Sequence, residues 1–456
     1  MSNNSKASFG SRFGYIMVAA GAAIGLGNIW KFPYLAYGGG GGLFVIIYVI
    51  LCIVLGHPVV EMETTIGRYA KTNAIDAYGV VNKKWKFVGV INVICTILID
   101  MYYIIVSGYV LKYAVDFLIG SNFAPDSATY YNNFISDPIQ PLIYAGILMT
   151  ITVILLSFGI TELVEKVTKV IMPLLFVLLI VCGVWALFIS EGAIEGLKFY
   201  LIPNWKNFTW KAVADACMQV MFSVGIGWVI FTTLGASVSD ENNIRKDSIW
   251  VTICDTTVAL TAGFVIIPSV VGSGSQMTAG PSLVFLAMTD IFGKFPGGRF
   301  IGFFFFTALI FAVLSTYFTI LEIPVKCVEE KCKISHRKAT VITALIIMAG
   351  GVLCSLSQGD GLLSGVKLPW WSFGVGIHYY NIYDWFDVTS GYVLLPLGCL
   401  LTTFYCCKVW GYKKYEEALT QNGRDGKLSK WSKFIMTFVV PILTLIVILN
   451  CFGFIK

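Results

Sequence analysis

Four carboxylates interrupt otherwise apolar stretches: Glu63, Asp100, Asp255 and Glu322. An ionisable side chain near the centre of a bilayer costs about 2.5–3.5 kcal/mol on insertion scales, so each one needs a reason. A carboxylate beside a bound monovalent cation recovers much of that cost through the charge pair. Asp255 is the best candidate for such a ligand, with a hydrogen-bonded structural acid as the alternative. Asp100 has no basic partner nearby in sequence, and its role stays open. Hydroxyls add further oxygen, with Ser315 and Thr316 adjacent and Ser223 standing just before Gly225-Ile226-Gly227. Hard cations take oxygen ligands, so hydroxyls combined with free carbonyls suit Na⁺. A single hydroxyl in a helix more often caps its own carbonyls.

Free carbonyls require a broken helix, and Gly21 to Pro33 supplies one. Gly25, Gly27, Asn28 and Pro33 are poor residues for the middle of an unbroken apolar helix. In hydrocarbon, unwound backbone survives only where protein or ligand satisfies it. Freed N–H groups at the start of a half-helix attract a carboxylate, and freed C=O groups at the end of the preceding half attract a cation. One break can thus hold a zwitterion and Na⁺ side by side. Glycines at i and i+4, Gly21 and Gly25, also suit close helix packing, but Gly25-Leu26-Gly27 is echoed by Gly225-Ile226-Gly227. Paired interruptions in corresponding halves point to a site at mid-membrane.

These stretches sit in a chain of 456 residues that is 57% hydrophobic and 13% charged, with a mean hydropathy of +0.78. That leaves too little polar surface for a soluble globule. At roughly 20 apolar residues per span, the expectation is an all-α polytopic membrane protein of about eleven helices. The spans are placed at 13–37, 43–70, 87–119, 139–158, 167–190, 212–237, 248–271, 299–328, 338–356, 383–409 and 432–455. No separate soluble domain and no cleaved signal peptide are expected. The twelve cysteines lie mostly in apolar stretches and read as free thiols. The net charge of +6 gathers in alternate loops, after spans two, eight and ten, whereas 120–138 holds no Lys or Arg. This places the N-terminus in the cytoplasm and Lys456 outside, in a cell-membrane protein with no nucleic-acid partner; its oligomeric state is not readable. The stretch 273–298 is too short and broken to span, and reads equally as a re-entrant hairpin or a surface loop. The loop 191–210 is long enough for some local helix.

Arg12-Phe13-Gly14, Gly21 to Pro33 and Glu63-Thr64-Thr65-Ile66-Gly67-Arg68-Tyr69 together resemble the neurotransmitter:sodium symporter family, and the resemblance covers nearly the whole chain. The fold it implies is that of the family's leucine transporter, in which discontinuous helices form the site. That means one domain over 1–456, with an inverted repeat of 13–190 against 212–409 and an extra helix at 432–455. The resemblance implies a first Na⁺ site from the Ala23 carbonyl, Asn28, Ser223, Asp255 and the substrate carboxylate. A second would use the carbonyls of Gly21, Ile24 and Ala312 with Ser315 and Thr316. The carboxylate would also meet the N–H groups of Leu26 and Gly27 and the Tyr103 hydroxyl. Ile99, Phe222, Gly225, Trp228 and Ile320 would wall the side-chain end.

Monoamine-carrying relatives place an aspartate where Gly25 stands, so the expected substrate is an amino acid. The run Ser223 to Trp228 resembles that of glycine carriers, which implies glycine or alanine; a rotated Trp228 would admit larger apolar side chains. The two sites imply two Na⁺ ions, and Asp255 implies transport without chloride, because an acid there replaces the anion that chloride-dependent relatives need. Tyr103 and Phe222 would close over the substrate. The outer gate would pair Lys31 with Asp387, lysine lacking arginine's bidentate fork, and the inner gate Lys6 with Glu330. The chain is not expected to be an enzyme, since an aspartyl protease built on Asp100 and Asp255 lacks its Gly-x-Gly-Asp motif. A transport-dead amino-acid sensor remains the other alternative.

Overall fold

The computed structural model describes residues 8–120, 127–188, 192–274, 283–294, 296–372 and 376–454. Among them, eight helices are long and apolar enough to cross a membrane, and two bent pairs bring the number to ten. The first pair, Arg12–Ala23 and Gly27–Gly38, is bent by 56° and forms span one. Span six is divided more severely, into Trp210–Val224 and Ile230–Gly235, with neither half long enough to cross alone. The expected boundaries hold to within four residues, except that span five begins at Ile160 rather than 167. Glu162, Glu165 and Lys166 dilute the hydropathy of its first turns and hide them from an apolar count.

Helix ends follow local chemistry. Ser11, Thr209 and Asn243 accept backbone N–H groups at the starts of spans one, six and seven. Gly120 and Gly225 end long helices in the left-handed conformation.

The basic loops assemble at one end of the molecule. Asp76, after span two, binds Lys86 at 2.6 Å and Lys331, after span eight, at 2.9 Å. Burial alone would raise the Asp76 carboxyl, but hydrogen bonds from Lys86, Asn73 and Lys331 hold it well below the usual range. At the same end Arg68 donates to the carbonyls of Ala418 and Leu419, in the short helix Tyr412–Thr420 between spans ten and eleven.

The loop between spans five and six contains the helix Gly192–Leu201, the local helix its length allows. Of 273–298, residues 275–282 and 295 lie outside the described residues. The described part forms helical turns over Leu283–Lys294 that are buried rather than spread on the surface. Phe285 packs among Tyr113, Tyr131 and Phe306 at centroid distances of 5.0, 5.7 and 6.1 Å. Between spans nine and ten, strands Leu368–Ser372 and Gly376–Tyr380 pair antiparallel, with Trp370 opposite His378. The hydropathy pattern gives no sign of this hairpin.

Candidate functional site

The first break leaves Ile24 and Gly25 out of the helix, and from Leu26 the chain turns helical again, as a wider π-type turn over Gly27–Lys31. Such turns often mark functional positions. Side chains from other spans reach the break. The Leu26 N–H donates to the Tyr103 hydroxyl at 3.3 Å, and the Gly27 carbonyl accepts from Gln219 Nε2 at 3.0 Å. The second break runs through Gly225, Gly227 and Val229, all at positive φ (79°, 90° and 58°). The first two are conformations glycine adopts without strain. Glu63 reaches across from span two, its Oε1 accepting the Gly227 N–H at 2.7 Å. The buried Glu63 therefore braces the broken backbone.

One oxygen cluster lies below the first break. Thr316 Oγ1 stands 3.2, 2.9 and 3.1 Å from the carbonyl oxygens of Gly21, Ile24 and Ala312. A hydroxyl has a single hydrogen to donate, so three carbonyls converging on it have acceptor capacity to spare. Ser315 Oγ lies 3.0 Å from the same Ala312 carbonyl. Surplus oxygen without matching donors is the chemistry of a hard-cation site.

A second cluster lies on the other side of the break. Asp255, fully buried, accepts from Asn28 Nδ2 at 2.6 Å and from Ser223 Oγ at 3.1 Å through each of its oxygens. Tyr48 contributes its hydroxyl, 3.0 Å from Ser223 Oγ and 3.5 Å from Asp255 Oδ2. The Asn28 amide oxygen accepts the Gly25 N–H at 3.0 Å. It thus faces the break, and the amide NH₂ faces the acid.

Space at the break is tight. A Cβ on Gly25 would lie 3.0 Å from the Tyr103 hydroxyl and 3.1 Å from Thr316 Oγ1, and one on Gly27 would lie 2.6 Å from Phe222 Cδ1. Phe222 and Trp228 pack with centroids 5.6 Å apart. The Trp228 indole N–H is buried without a partner among the described residues, and its carbonyl accepts from Thr96 at 2.8 Å. Ile99 and Ile320 are fully buried on spans three and eight.

Above Tyr103 and Phe222 opens a cavity of about 580 Å³ that also exposes Lys31, Asp215, Asp387 and Tyr392. The Lys31 ammonium sits 4.5 Å from the Phe222 ring centroid and 5.3 Å from that of Tyr392. Among the described residues it makes no ion pair with Asp387 within 4.0 Å. At the opposite end, contacts tie the start of span one to its neighbours. Phe9 packs on Tyr15 with centroids 5.3 Å apart, and its N–H donates to the Ser237 carbonyl. Arg12 pairs with Asp247 at 2.6 Å. Glu330 accepts from Thr72 at 2.7 Å and from Asn73 at 2.6 Å; Lys6, expected as its gate partner, lies outside the described residues.

The structure thus gathers Asn28, Ser223 and Asp255 into one cluster and Gly21, Ile24, Ala312 and Thr316 into another. Sequence reasoning missed Tyr48 and Gln219. Their signal is an uncharged polar group inside an apolar span, fainter than a charge or a small hydroxyl beside a break.

A model of the sodium:neurotransmitter symporter family matches residues 6–128 and 139–455. The chain belongs to this family. It is a sodium-dependent symporter, a secondary transporter rather than an enzyme. Its relatives include the uncharacterized sodium-dependent transporter YhdH of Bacillus subtilis, 32% identical over 461 residues and covering 99% of each chain. An uncharacterized sodium-dependent transporter of Haemophilus influenzae is 30% identical, covering 98% of both. The bovine sodium- and chloride-dependent GABA transporter 2 is 26% identical, with 87% of this chain matched to 72% of that protein. Among solved structures, that of MhsT in complex with L-phenylalanine superimposes with a TM-score of 0.87 at 31% identity, covering 98% of this chain and all of that one. The symporter therefore has the leucine-transporter fold.

Proposed function

We propose that this symporter couples the inward flow of two Na⁺ ions to uptake of a neutral α-amino acid, without chloride, by alternating access in the cell membrane. The observation that carries this reading is the break at Ile24 and Gly25 with an oxygen cluster on each side. The substrate carboxylate would lie against the Leu26 and Gly27 N–H groups and the Tyr103 hydroxyl, in the room Gly25 leaves. One Na⁺ would bind among the Ala23 carbonyl, Asn28, Ser223, Asp255 and that carboxylate. For this the Asn28 amide must turn its oxygen toward the ion, away from Gly25. The other Na⁺ would take the carbonyls of Gly21, Ile24 and Ala312 with the hydroxyls of Ser315 and Thr316. A chloride-dependent relative needs an anion beside the first ion, and here Asp255 supplies a fixed one.

The two breaks, one in each half of the chain, support an inverted repeat of 13–190 against 212–409. With the helices so arranged, the cavity at Tyr103 and Phe222 is the external approach, and the end holding Phe9 and Arg12 is the closed cytoplasmic one. Closure would bring Tyr103 and Phe222 over the substrate and draw Lys31 from the Phe222 ring toward Asp387. At about 2.3 kcal/mol per charge per 100 mV, two ions supply about 4.6 kcal/mol, enough for accumulation of about a thousandfold from voltage alone.

The indole of Trp228 against Phe222 favours glycine or alanine. A second reading, a larger hydrophobic amino acid, is favoured by the phenylalanine held by MhsT and by Gly225, which contributes no side chain to the wall. Uptake of labelled amino acids into proteoliposomes, with and without a Na⁺ gradient and with chloride replaced by gluconate, tests the whole proposal. Binding without Na⁺-driven accumulation would refute symport of an amino acid; competition by phenylalanine or tryptophan but not glycine or alanine would decide for the second reading.

A further inference from the structure

Between spans ten and eleven the chain folds back on itself around a hollow of about 320 Å³, bounded by Tyr412, Lys413, Glu416, Leu428, Lys430 and Lys433. Glu416 is committed to the wall, its Oε1 accepting the Leu428 N–H at 2.9 Å. Among the described residues no carboxylate lies within ion-pair distance of Lys413, Lys430 or Lys433. Lys433 is turned inward, with its ammonium 5.0 Å from the Tyr412 ring centroid. Three ammonium groups and the one Glu416 carboxylate leave the hollow with a surplus of positive charge that a further anion would offset.

What adjoins the hollow points to the kind of anion. The helix Lys430–Cys451 is the last apolar span, so its first residues stand at the level of lipid headgroups. Directly below, Trp431, Phe434 and Phe438 are exposed at 71%, 48% and 56%, with successive ring centroids 5.7 Å apart. Ile442, Leu445 and Leu449 continue the same exposed stripe. Aromatic residues at this depth anchor at the interface. A charged pocket continuous with an apolar track matches a molecule that has an anionic head and hydrocarbon chains.

We propose that Lys413, Lys430 and Lys433 hold the phosphate of an anionic phospholipid whose acyl chains lie along the Trp431–Phe434–Phe438 stripe. The full chain in nanodiscs tests this, with retained lipid counted by native mass spectrometry and proximity read from quenching of tryptophan by brominated phosphatidylglycerol or brominated phosphatidylcholine. Phosphatidylglycerol is expected to be retained preferentially. The variant Lys413→Gln/Lys430→Gln/Lys433→Gln is expected to weaken it by about a hundredfold, since each lysine near an anionic headgroup is worth about fivefold, or about 1 kcal/mol. Lys83→Gln/Lys84→Gln/Lys338→Gln, which removes the same charge from other exposed loops, should leave retention unchanged. Equal retention of the two lipids, or equal loss in both triple variants, would overturn the proposal. Displacement by inorganic phosphate alone would also overturn it, by showing a free-anion site, and so would displacement by an acidic peptide.

Discussion

Replacing Asp255 with Asn removes one charge and almost nothing else. The amide can keep its oxygen toward Asn28 Nδ2, now 2.6 Å from Asp255 Oδ1, and set its NH₂ where Oδ2 stands, with the Ser223 and Tyr48 hydroxyls rotating to accept rather than donate. Burial and packing are unchanged, so the variant isolates electrostatics. A full negative charge about 4 Å from Na⁺, at an effective dielectric of about 20, is worth up to about 4 kcal/mol. The asparagine oxygen retains its dipole, so we take half of that bound, about 2 kcal/mol, which is about thirtyfold in affinity. The expected result is a rise of that order in the Na⁺ concentration giving half-maximal uptake in proteoliposomes, together with stimulation by external chloride. Scintillation proximity binding across a Na⁺ titration, repeated in gluconate, reads both effects. Unchanged Na⁺ dependence with continued indifference to chloride would refute the role given to Asp255, whatever the maximal rate.

Thr316→Val deletes the hydroxyl that contacts three carbonyls; it should raise the half-saturating Na⁺ concentration at least tenfold, about 1.4 kcal/mol, while substrate binding at saturating Na⁺ persists. Gly27→Ala sets a methyl 2.6 Å from Phe222 and should displace that ring at an overpacking cost of about 1–3 kcal/mol, seen as a tenfold or greater loss of substrate affinity; wild-type affinity would show that Phe222 does not bound the site. Trp228→Ala should let phenylalanine and leucine compete where the parent selects glycine or alanine, and an unaltered competition profile would remove Trp228 from the specificity wall.

The breaks are legible in the sequence because breakers are dense where an apolar helix should be unbroken, as in Gly25, Gly27, Asn28 and Pro33. Their bracing is not legible. Glu63 and Gly227 are 164 positions apart, and Gln219 and Gly27 are 192 apart; no local periodicity records such a contact. Tyr48 is hidden in the same way, as a side chain apolar but for its hydroxyl. The hairpin at Leu368–Tyr380 escapes notice because aromatic residues occupy both of its faces, so the alternation that announces a half-buried strand is missing. The charge of Lys31 makes Asp387 its natural partner. Its position over Phe222 depends instead on aromatic faces brought together by spans six and ten.

The bracing of the breaks by side chains from other helix segments fixes their length. Gln219, on the first half of span six, grips the Gly27 carbonyl, and Glu63, on span two, grips the Gly227 N–H. Inserting one residue into either unwound stretch would turn everything downstream in that half-helix by about 100° and advance it by about 1.5 Å. The grip would then fall on the wrong peptide, and an insertion in the first break would also carry Asn28 away from Asp255. Exposed loops can gain or lose residues with little penalty, but these two short irregular stretches should be the segments of the transporter least tolerant of a change in length.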